Sequence, residues 1–230
     1  MRNSIDKFVF LLLGLMLAES VCAQDSLQRV AQNASDSRLL MAPTANSLSA
    51  DNGYINFAGV IFPNFGYGIS DEFMIRGGFT PFTVSDHVLY FGLASLQVAD
   101  YGYLKLAGGV ALTDITGSSR GWESAIYGFG IASYGTEAGG VHLGFGGGYS
   151  GKTESNSAIF MIGADYRISK SSKIISENWI VAESGSGAYS LAIRISGTAL
   201  SGDLGAVMIT ASGDQKVTGI IPWIGLTFFL

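Results

Sequence analysis

The chain ends in Gly219-Ile220-Ile221-Pro222-Trp223-Ile224-Gly225-Leu226-Thr227-Phe228-Phe229-Leu230. Read with the period of a β-strand, one face of this stretch carries the apolar residues Ile220, Ile224, Leu226, Phe228 and Leu230. An apolar strand at the end of a chain is unusual for a soluble domain, because open strand edges aggregate and chain termini are normally polar. We therefore predict that this stretch closes a barrel by pairing with the first strand, with its apolar face turned to lipid.

The same stretch resembles the C-terminal strand of bacterial outer-membrane β-barrels. That strand ends in a hydrophobic or aromatic residue, and the barrel-insertion machinery recognises it. In this chain Leu230 stands where the family usually has Phe. The resemblance implies two partners, the outer-membrane lipids and the insertion machinery, and it implies the bacterial outer membrane as the location.

The first 23 residues have the pattern of a secretory signal peptide. Arg2 and Lys7 precede an apolar run at 8–18, which is shorter than the roughly 20 residues that a membrane helix needs. Val21-Cys22-Ala23 then offers a cleavage site before Gln24. A lipoprotein signal, lipidated at Cys22, is the alternative, but Val21 stands where that signal has a small residue. Cleavage after Ala23 removes the single cysteine of the chain.

Composition narrows the class of protein. Charged residues make up 13% of the chain, against about 25% in typical proteins, and the mean hydropathy is +0.35. Beyond the first 23 residues, no apolar run approaches the length of a membrane helix. Two classes fit this pattern, a transmembrane barrel and a dry soluble β-sandwich. The formal net charge of −5 argues against a nucleic-acid partner.

Twelve candidate strands follow a short polar periplasmic leader at 24–37. They run at 38–47, 53–69, 72–82, 87–97, 102–114, 122–134, 140–149, 157–169, 173–184, 188–197, 204–212 and 217–230. The first is interrupted by Pro43 and the ninth has mixed faces, so a barrel of ten strands is the fallback. The sequence therefore predicts an all-β protein, a single closed antiparallel transmembrane β-barrel of about twelve strands over 38–230.

Two further stretches carry a family resemblance. They are Leu39-Leu40-Met41-Ala42-Pro43-Thr44-Ala45 and the segment 65–78, which contains Gly68-Ile69-Ser70-Asp71-Glu72-Phe73. They are similar to the opening of small uncharacterised bacterial outer-membrane β-barrel proteins of the porin-like superfamily, in which such a hairpin links two early strands. The motif is structural, because Ser70-Asp71 supplies a tight turn. The resemblance implies a fold and a location, and no catalytic residues come with it.

Alternation along the strands separates side chains that face lipid from those that face the lumen. A charge on the lipid face costs about 2–4 kcal/mol near the bilayer midplane, so the charged phase is placed inside. The predicted lumen-lining residues are Arg76, Lys105, Asp165, Arg167 and Arg194. Two interpretations stay open: a weakly cation-repelling pore, or a plugged interior in which these groups pair with Asp165, loop acids and water.

Catalytic chemistry has little support in the sequence. Some outer-membrane barrel enzymes cleave lipid esters with a His–Ser pair on the lipid face. Of the two histidines, His142 falls on the inward phase and His87 lies beside a turn. No nucleotide-binding, zinc-binding or calcium-loop motif is present, so we predict no catalytic residue, no cofactor and no metal.

Three functional hypotheses remain. The first is an integral outer-membrane barrel that acts as a passive pore of unknown cargo or as a structural membrane protein. The second is a secreted soluble β-rich binding module, whose terminal strand pairs inside a sandwich. The third is an outer-membrane barrel that hydrolyses lipids.

Overall fold

The structure is a computed structural model that describes residues 32, 34–59, 62–80, 88–116, 123–150, 156–210 and 218–230. These residues form twelve strands, which are β1 (Gly53–Ala58), β2 (Phe62–Gly68), β3 (Phe73–Phe79), β4 (Val88–Asp100), β5 (Leu104–Thr116), β6 (Glu123–Thr136), β7 (Gly139–Ser150), β8 (Asn156–Arg167), β9 (Ser172–Val181), β10 (Gly187–Ser196), β11 (Leu200–Thr210) and β12 (Thr218–Phe229). Each strand pairs antiparallel with its neighbours in sequence, and β12 pairs with β1. The predicted all-β closed barrel of twelve strands is confirmed.

The predicted number of strands is right, but two of the predicted strands are wrong. Residues 38–47 form no wall strand and lie inside the barrel, where one isolated bridge joins Arg38 to Pro43. The predicted strand at 53–69 is two strands, β1 and β2, and the chain leaves β1 at Gly59 with a φ of 58°. The ninth predicted strand exists as β9, so the fallback of ten strands is also wrong.

The wall of the barrel therefore begins at Gly53 rather than at residue 38. Residues 1–31, which hold the predicted signal peptide and most of the leader, lie outside the described residues, and so does His87. Within the described part of the chain, no helix is long and apolar enough to cross a membrane.

The two ends of the barrel differ. One end, which we call the base, carries the start of β1, the end of β12 and short turns such as 69–72 and 168–171. The opposite end, which we call the top, carries the β1–β2 turn and the remaining connections. In outer-membrane barrels the short turns are periplasmic and the longer loops are extracellular.

Side chains alternate between the interior and the outer surface of the wall. In β10, Leu191 and Ile193 are 62% and 45% exposed on the outside, whereas Ala192 and Arg194 are buried inside. The outer surface is apolar. Among the described strand residues, one charged side chain lies on this surface, that of Asp114 near the top. This is the surface expected of a barrel whose solvent is lipid.

Tyrosines mark both ends of the outer surface. Tyr67 and Tyr166 are exposed near the base, and Tyr90 and Tyr149 are exposed near the top. A strand advances about 3.3 Å per residue and barrel strands tilt by about 40°, so the run from Val141 to Tyr149 rises roughly 20 Å along the barrel axis. Aromatic girdles around an apolar band of about this height are typical of outer-membrane barrels.

Candidate functional site: the plugged lumen

Residues 34–52, which we call the plug, precede β1 and fill the lumen of the base. Their most buried side chains are each at most 2% exposed; these are Ala34, Ser37, Arg38, Leu39, Leu40, Ala42, Ala45 and Leu48. The centre of the plug is a tight hairpin, in which the Leu39 N–H donates to the Ala42 carbonyl (2.9 Å) and the Thr44 N–H donates to the Ser37 carbonyl (3.1 Å). The remaining backbone groups of the tip bond to side chains of the wall, so the hairpin can be buried without a strand partner.

The apolar tip of the hairpin packs against inward side chains of the wall. Leu39, Leu40 and Ala42 form one buried cluster with the wall residues Ala58, Met161, Ile175, Ala192 and Trp223. The partly buried Trp179 packs against this cluster. Gly163 of β8 makes room for the tip, because a Cβ atom there would lie 2.1 Å from Leu39 Cδ1. The wall is thus shaped to receive this segment.

A fully buried ion pair holds the plug to β10 and β11. Arg194 donates through Nε to Asp203 Oδ1 (2.6 Å) and through Nη2 to Asp203 Oδ2 (2.9 Å). The same guanidinium donates to the carbonyls of Leu39 (2.7 Å) and Ser35 (3.2 Å), which belong to the plug. Arg38 of the plug lies 3.8 Å from Asp203, measured from Nη1 to Oδ2. The buried carboxylate is therefore shared by one cation of the wall and one of the plug, an arrangement that compensates its desolvation.

A second ionic cluster lies nearer the base. Lys173 of β9 donates to the Ser35 carbonyl (2.9 Å) and to Asp36 Oδ1 (3.1 Å) of the plug. Its Nζ also lies 3.3 Å from Asp165 Oδ2 on the neighbouring strand β8. This ammonium group therefore contacts two acceptors in the plug and one in the wall.

Ser133, His142 and Asp165 form a hydrogen-bonded chain across β6, β7 and β8. His142 Nε2 lies 2.9 Å from Asp165 Oδ1, and His142 Nδ1 lies 2.7 Å from Ser133 Oγ. Since an ionised carboxylate can only accept, His142 donates from Nε2 to Asp165. Ser133 Oγ in turn accepts the backbone N–H of Ala45 in the plug (2.9 Å). The chain of bonds thus ends on the plug.

Ser, His and Asp in this order are also the residues of a hydrolytic triad. In this structure Ser133 is buried and its hydroxyl accepts a bond from the plug. Nucleophilic attack by Ser133 therefore competes with the bond from Ala45.

Two further side chains of the wall bond to the tip of the plug. Glu177 Oε2 accepts the N–H groups of Met41 (2.9 Å) and Ala42 (3.0 Å), and Glu177 Oε1 accepts the indole N–H of Trp179 (2.7 Å). Arg76 of β3 donates from Nη2 to the Met41 carbonyl (2.8 Å). Among the described residues, the Nε and Nη1 donors of Arg76 have no acceptor.

The five predicted lumen-lining residues lie at different depths. Arg76, Asp165 and Arg194 point inward and contact the plug or its partners, as described above. Lys105 and Arg167 lie at the base, where Lys105 Nζ is 3.2 Å from Asp100 Oδ2 and Arg167 Nη2 is 3.5 Å from Asp36 Oδ1. A cavity of about 1350 Å³ opens at the base between the plug and the wall, and Lys105, Ser133, His142 and Asp165 are among its lining residues.

The predicted closing strand lies where the barrel closes. In the β1–β12 pairing, Phe57 is opposite Leu226 and Ile55 is opposite Phe228. Gly53 and Leu230 exchange two backbone hydrogen bonds of 3.2 and 2.9 Å. Ile224 lies beyond the last pair with β1 and is exposed on the outer surface.

Sequence reasoning does not identify four buried charged residues of the lumen, which are Arg38, Lys173, Glu177 and Asp203. Arg38 falls within the predicted wall strand at 38–47, and Asp203 lies just before the predicted strand at 204–212. Lys173 and Glu177 lie in β9, whose two faces could not be separated by hydropathy. The signal that would have found them is the need of each buried cation for a nearby acid.

No protein-family model and no curated protein matches this chain. Solved structures do match its fold. The KdgM porin in complex with disordered oligogalacturonate aligns with a TM-score of 0.58 at 10% identity, over 77% of this chain and 96% of that one. The NanC porin aligns with a TM-score of 0.55 at 8% identity, over 78% and 99%.

The predicted likeness to porin-like outer-membrane barrels is thereby confirmed at the level of the fold. LpxR from Salmonella typhimurium also aligns, with a TM-score of 0.47 at 9% identity over 78% of this chain and 100% of that one. A likeness of that degree supports no argument about hydrolysis.

Proposed function

We propose that this protein is an integral barrel of the bacterial outer membrane whose lumen is closed by its own N-terminal segment, so that passage requires the plug to move. The apolar outer surface with tyrosines at both ends supports the membrane placement, and the fold shared with porins supports a pore. The proposal includes the predicted signal peptide and recognition by the insertion machinery. It disfavours a secreted soluble module, which would expose this apolar surface to water.

The single observation that carries the proposal is the burial of the plug. Its hairpin is fixed by bonds from β3, β6, β9 and β10, through Arg76, Ser133, Glu177 and Arg194. Contacts from so many directions define one docked position. A passive pore that is permanently open does not fit this arrangement.

Charge inside the wall bears on the selectivity of the pore once the plug has moved. Among the wall side chains that the structure describes, the inward cations are Arg76, Lys105, Arg167, Lys173 and Arg194, and the inward acids are Asp100, Asp165, Glu177 and Asp203. Glu123 occupies a fifth inward acidic position at the top of β6. Cations and acids therefore balance, and we assign neither a charge preference nor a particular cargo.

Ion conductance in planar bilayers tests the proposal. We expect the parent protein to give no steady current, and Gly163→Phe to give one, because the phenyl ring takes the space of Leu39. Gly147→Phe is the matched control, since Gly147 lies on the outer surface with nothing within 4 Å of an added Cβ. Deleting 39–42 gives a second way to shorten the plug. Equal steady currents from parent and Gly163→Phe would show that the plug does not close the lumen.

A hydrolase is the second candidate function, and the observation in its favour is the Ser133–His142–Asp165 chain. Its nucleophile would be Ser133, its base His142, and its substrate an ester that enters from the base after the plug moves. The bond from Ala45 to Ser133 favours a role in holding the plug.

A further inference from the structure

Two buried side chains beside the plug tip carry hydrogen-bond donors that no described residue accepts. Arg76 of β3 is 5% exposed, and its Nε and Nη1 groups have no partner among the described residues. Tyr54 of β1 is fully buried, and its hydroxyl has no partner in the same part of the chain. A guanidinium group can only donate, so burial of these donors is costly unless an acceptor lies between them.

The strand register brings the two side chains together. Tyr54 lies directly opposite Gly66 of β2, and Gly66 lies directly opposite Arg76. A Cβ atom at Gly66 would lie 2.8 Å from the Tyr54 hydroxyl oxygen. The hydroxyl therefore lies over Gly66, about one strand spacing of 4.8 Å from the backbone of Arg76. The free donors of Tyr54 and Arg76 thus border one small region of the lumen.

A second guanidinium group reaches the same region from the plug. Arg38 donates to the Leu40 carbonyl (3.0 Å), and its guanidinium lies 5.2 Å from the centre of the Tyr54 ring. Arg76 donates to the carbonyl of the next residue, Met41 (2.8 Å). Two like charges therefore bond to consecutive carbonyls of the plug tip, where each repels the other.

The charges that meet at the plug tip do not cancel. They are the cations Arg38, Arg76 and Arg194 and the acids Asp203 and Glu177, which leave one positive charge in excess. Asp203 pairs with Arg38 and Arg194, and among the described residues no carboxylate forms an ion pair with Arg76. A buried charge without a counter-charge is strongly destabilising.

We propose that Arg76 and the Tyr54 hydroxyl bind a chloride ion, which stabilises the docked plug. A monovalent anion supplies both the acceptor that these donors need and the one negative charge that the tip lacks, whereas water supplies only the acceptor. The site suits an ion of about the size of water. Both side chains are buried, and in the described part of the chain neither lines the cavity of about 1350 Å³ at the base. The inference is independent of what passes through the barrel.

Chloride binding to the folded barrel tests this proposal. The protein in nonionic detergent, after heat-modifiability on gels has confirmed its fold, is titrated with sodium chloride while sodium gluconate keeps the ionic strength constant. Broadening of the chloride NMR signal measures binding, and the midpoint of urea unfolding measures stability. We expect saturable broadening that bromide displaces. We also expect a midpoint that rises with chloride, because an ion that binds the folded state alone stabilises it.

Three variants separate a built site from general electrostatics. Arg76→Gln removes the charge of the site and should abolish both chloride effects. Tyr54→Phe removes one donor and should weaken chloride binding about tenfold. Arg167→Gln is the matched control and should keep both effects, because Arg167 also contacts the plug, through Asp36, but lies at the base.

Absent or non-saturable broadening in the folded parent would overturn the chloride site. Equal losses of the chloride effects in Arg76→Gln and Arg167→Gln would also overturn it. If Arg76→Gln does not fold, Tyr54→Phe decides the question, since an unchanged chloride affinity in that variant contradicts the assignment. None of these measurements depends on conductance, so a failure of the chloride site leaves the plugged-barrel proposal standing.

Discussion

Asp203 is the carboxylate at which a cation of the plug and a cation of the wall meet. It is fully buried, accepts two bonds from Arg194 and lies beside Arg38. A buried ion pair adds little net stability over an apolar pair, but removal of one partner leaves an uncompensated charge and is costly. The residue therefore determines whether the plug can stay docked.

We expect Asp203→Asn to destabilise the docked state by about 3–5 kcal/mol, because two guanidinium groups then share no counter-charge. Asp100→Asn is the matched control: Asp100 pairs with Lys105 at the exposed base, where a salt bridge contributes about 1 kcal/mol or less. Denaturant titrations of both variants in detergent measure the difference. Equal shifts in midpoint would show that burial of Asp203 has no energetic consequence.

The role of Ser133 is separable from catalysis. If it holds the plug, Ser133→Ala removes one hydrogen bond to Ala45 and costs about 1 kcal/mol of stability, with no effect on ester hydrolysis. The measurement is hydrolysis of a chromogenic ester by the parent, by Ser133→Ala and by His142→Ala, in the Gly163→Phe background that frees the site. Hydrolysis in that background that both substitutions abolish would instead establish the hydrolase.

At the scale of the element, two strand assignments show what hydropathy can decide. The segment 38–47 is apolar enough for a wall strand, yet its Leu39-Leu40-Met41-Ala42 run does not alternate, and Pro43 removes a donor. It packs inside, where its apolar side chains join the buried cluster that contains Ile175 and Trp223. The sequence between 53 and 69 contains no strong turn signal, although Gly59 adopts a positive φ. Two errors of opposite sign thus preserved the count of twelve.

Substitutions on β10 and β8 test whether the outer face of the wall lies in lipid. Leu191→Arg places a guanidinium on the outer surface near mid-height and should reduce insertion, at a cost of about 2–4 kcal/mol. Tyr166→Arg, near the base, is the depth control, because the cost falls to about 0–1 kcal/mol near the interface. The amounts of heat-modifiable protein in the outer-membrane fraction are compared. If both variants insert alike, the outer surface is not in lipid at that depth.

Substitutions on β12 test whether this strand is needed to close the barrel. Among the described residues, it meets β1 through four residue pairs and the two bonds between Gly53 and Leu230, so each of them matters for assembly. Phe228→Asp puts a charge next to Phe57 and Ile55 on the outer face, and we expect periplasmic degradation in place of insertion. Phe228→Leu keeps the apolar face and should insert. Membrane insertion of Phe228→Asp at the level of the parent would contradict the role of this strand.

At the scale of the whole molecule, the charged wall residues that contact the plug lie in the lower part of the lumen. In β4, β8 and β11 the inward positions above them are apolar, as at Leu93, Ile159 and Val207. The sequence carried this signal, since β4 is apolar on both faces from Leu89 to Leu93 and polar again at Ser95 and Gln97. A reading of alternation alone misses it, because strand heights become known only when register and tilt are fixed.

The docked plug makes a prediction about proteolysis of the intact barrel. Arg38 is a trypsin site that is 1% exposed in this structure, and its guanidinium contacts Thr227 of β12. Cleavage after Arg38 requires an extended segment in the protease, so a hairpin buried in the lumen must leave it first. We expect mass spectrometry to find this cut in the boiled parent but not in the folded one. Asp203→Asn and Gly163→Phe should gain the cut while folded, and Gly147→Phe should not. Rapid cleavage of the folded parent after Arg38 would mean that the plug spends much of its time outside the barrel.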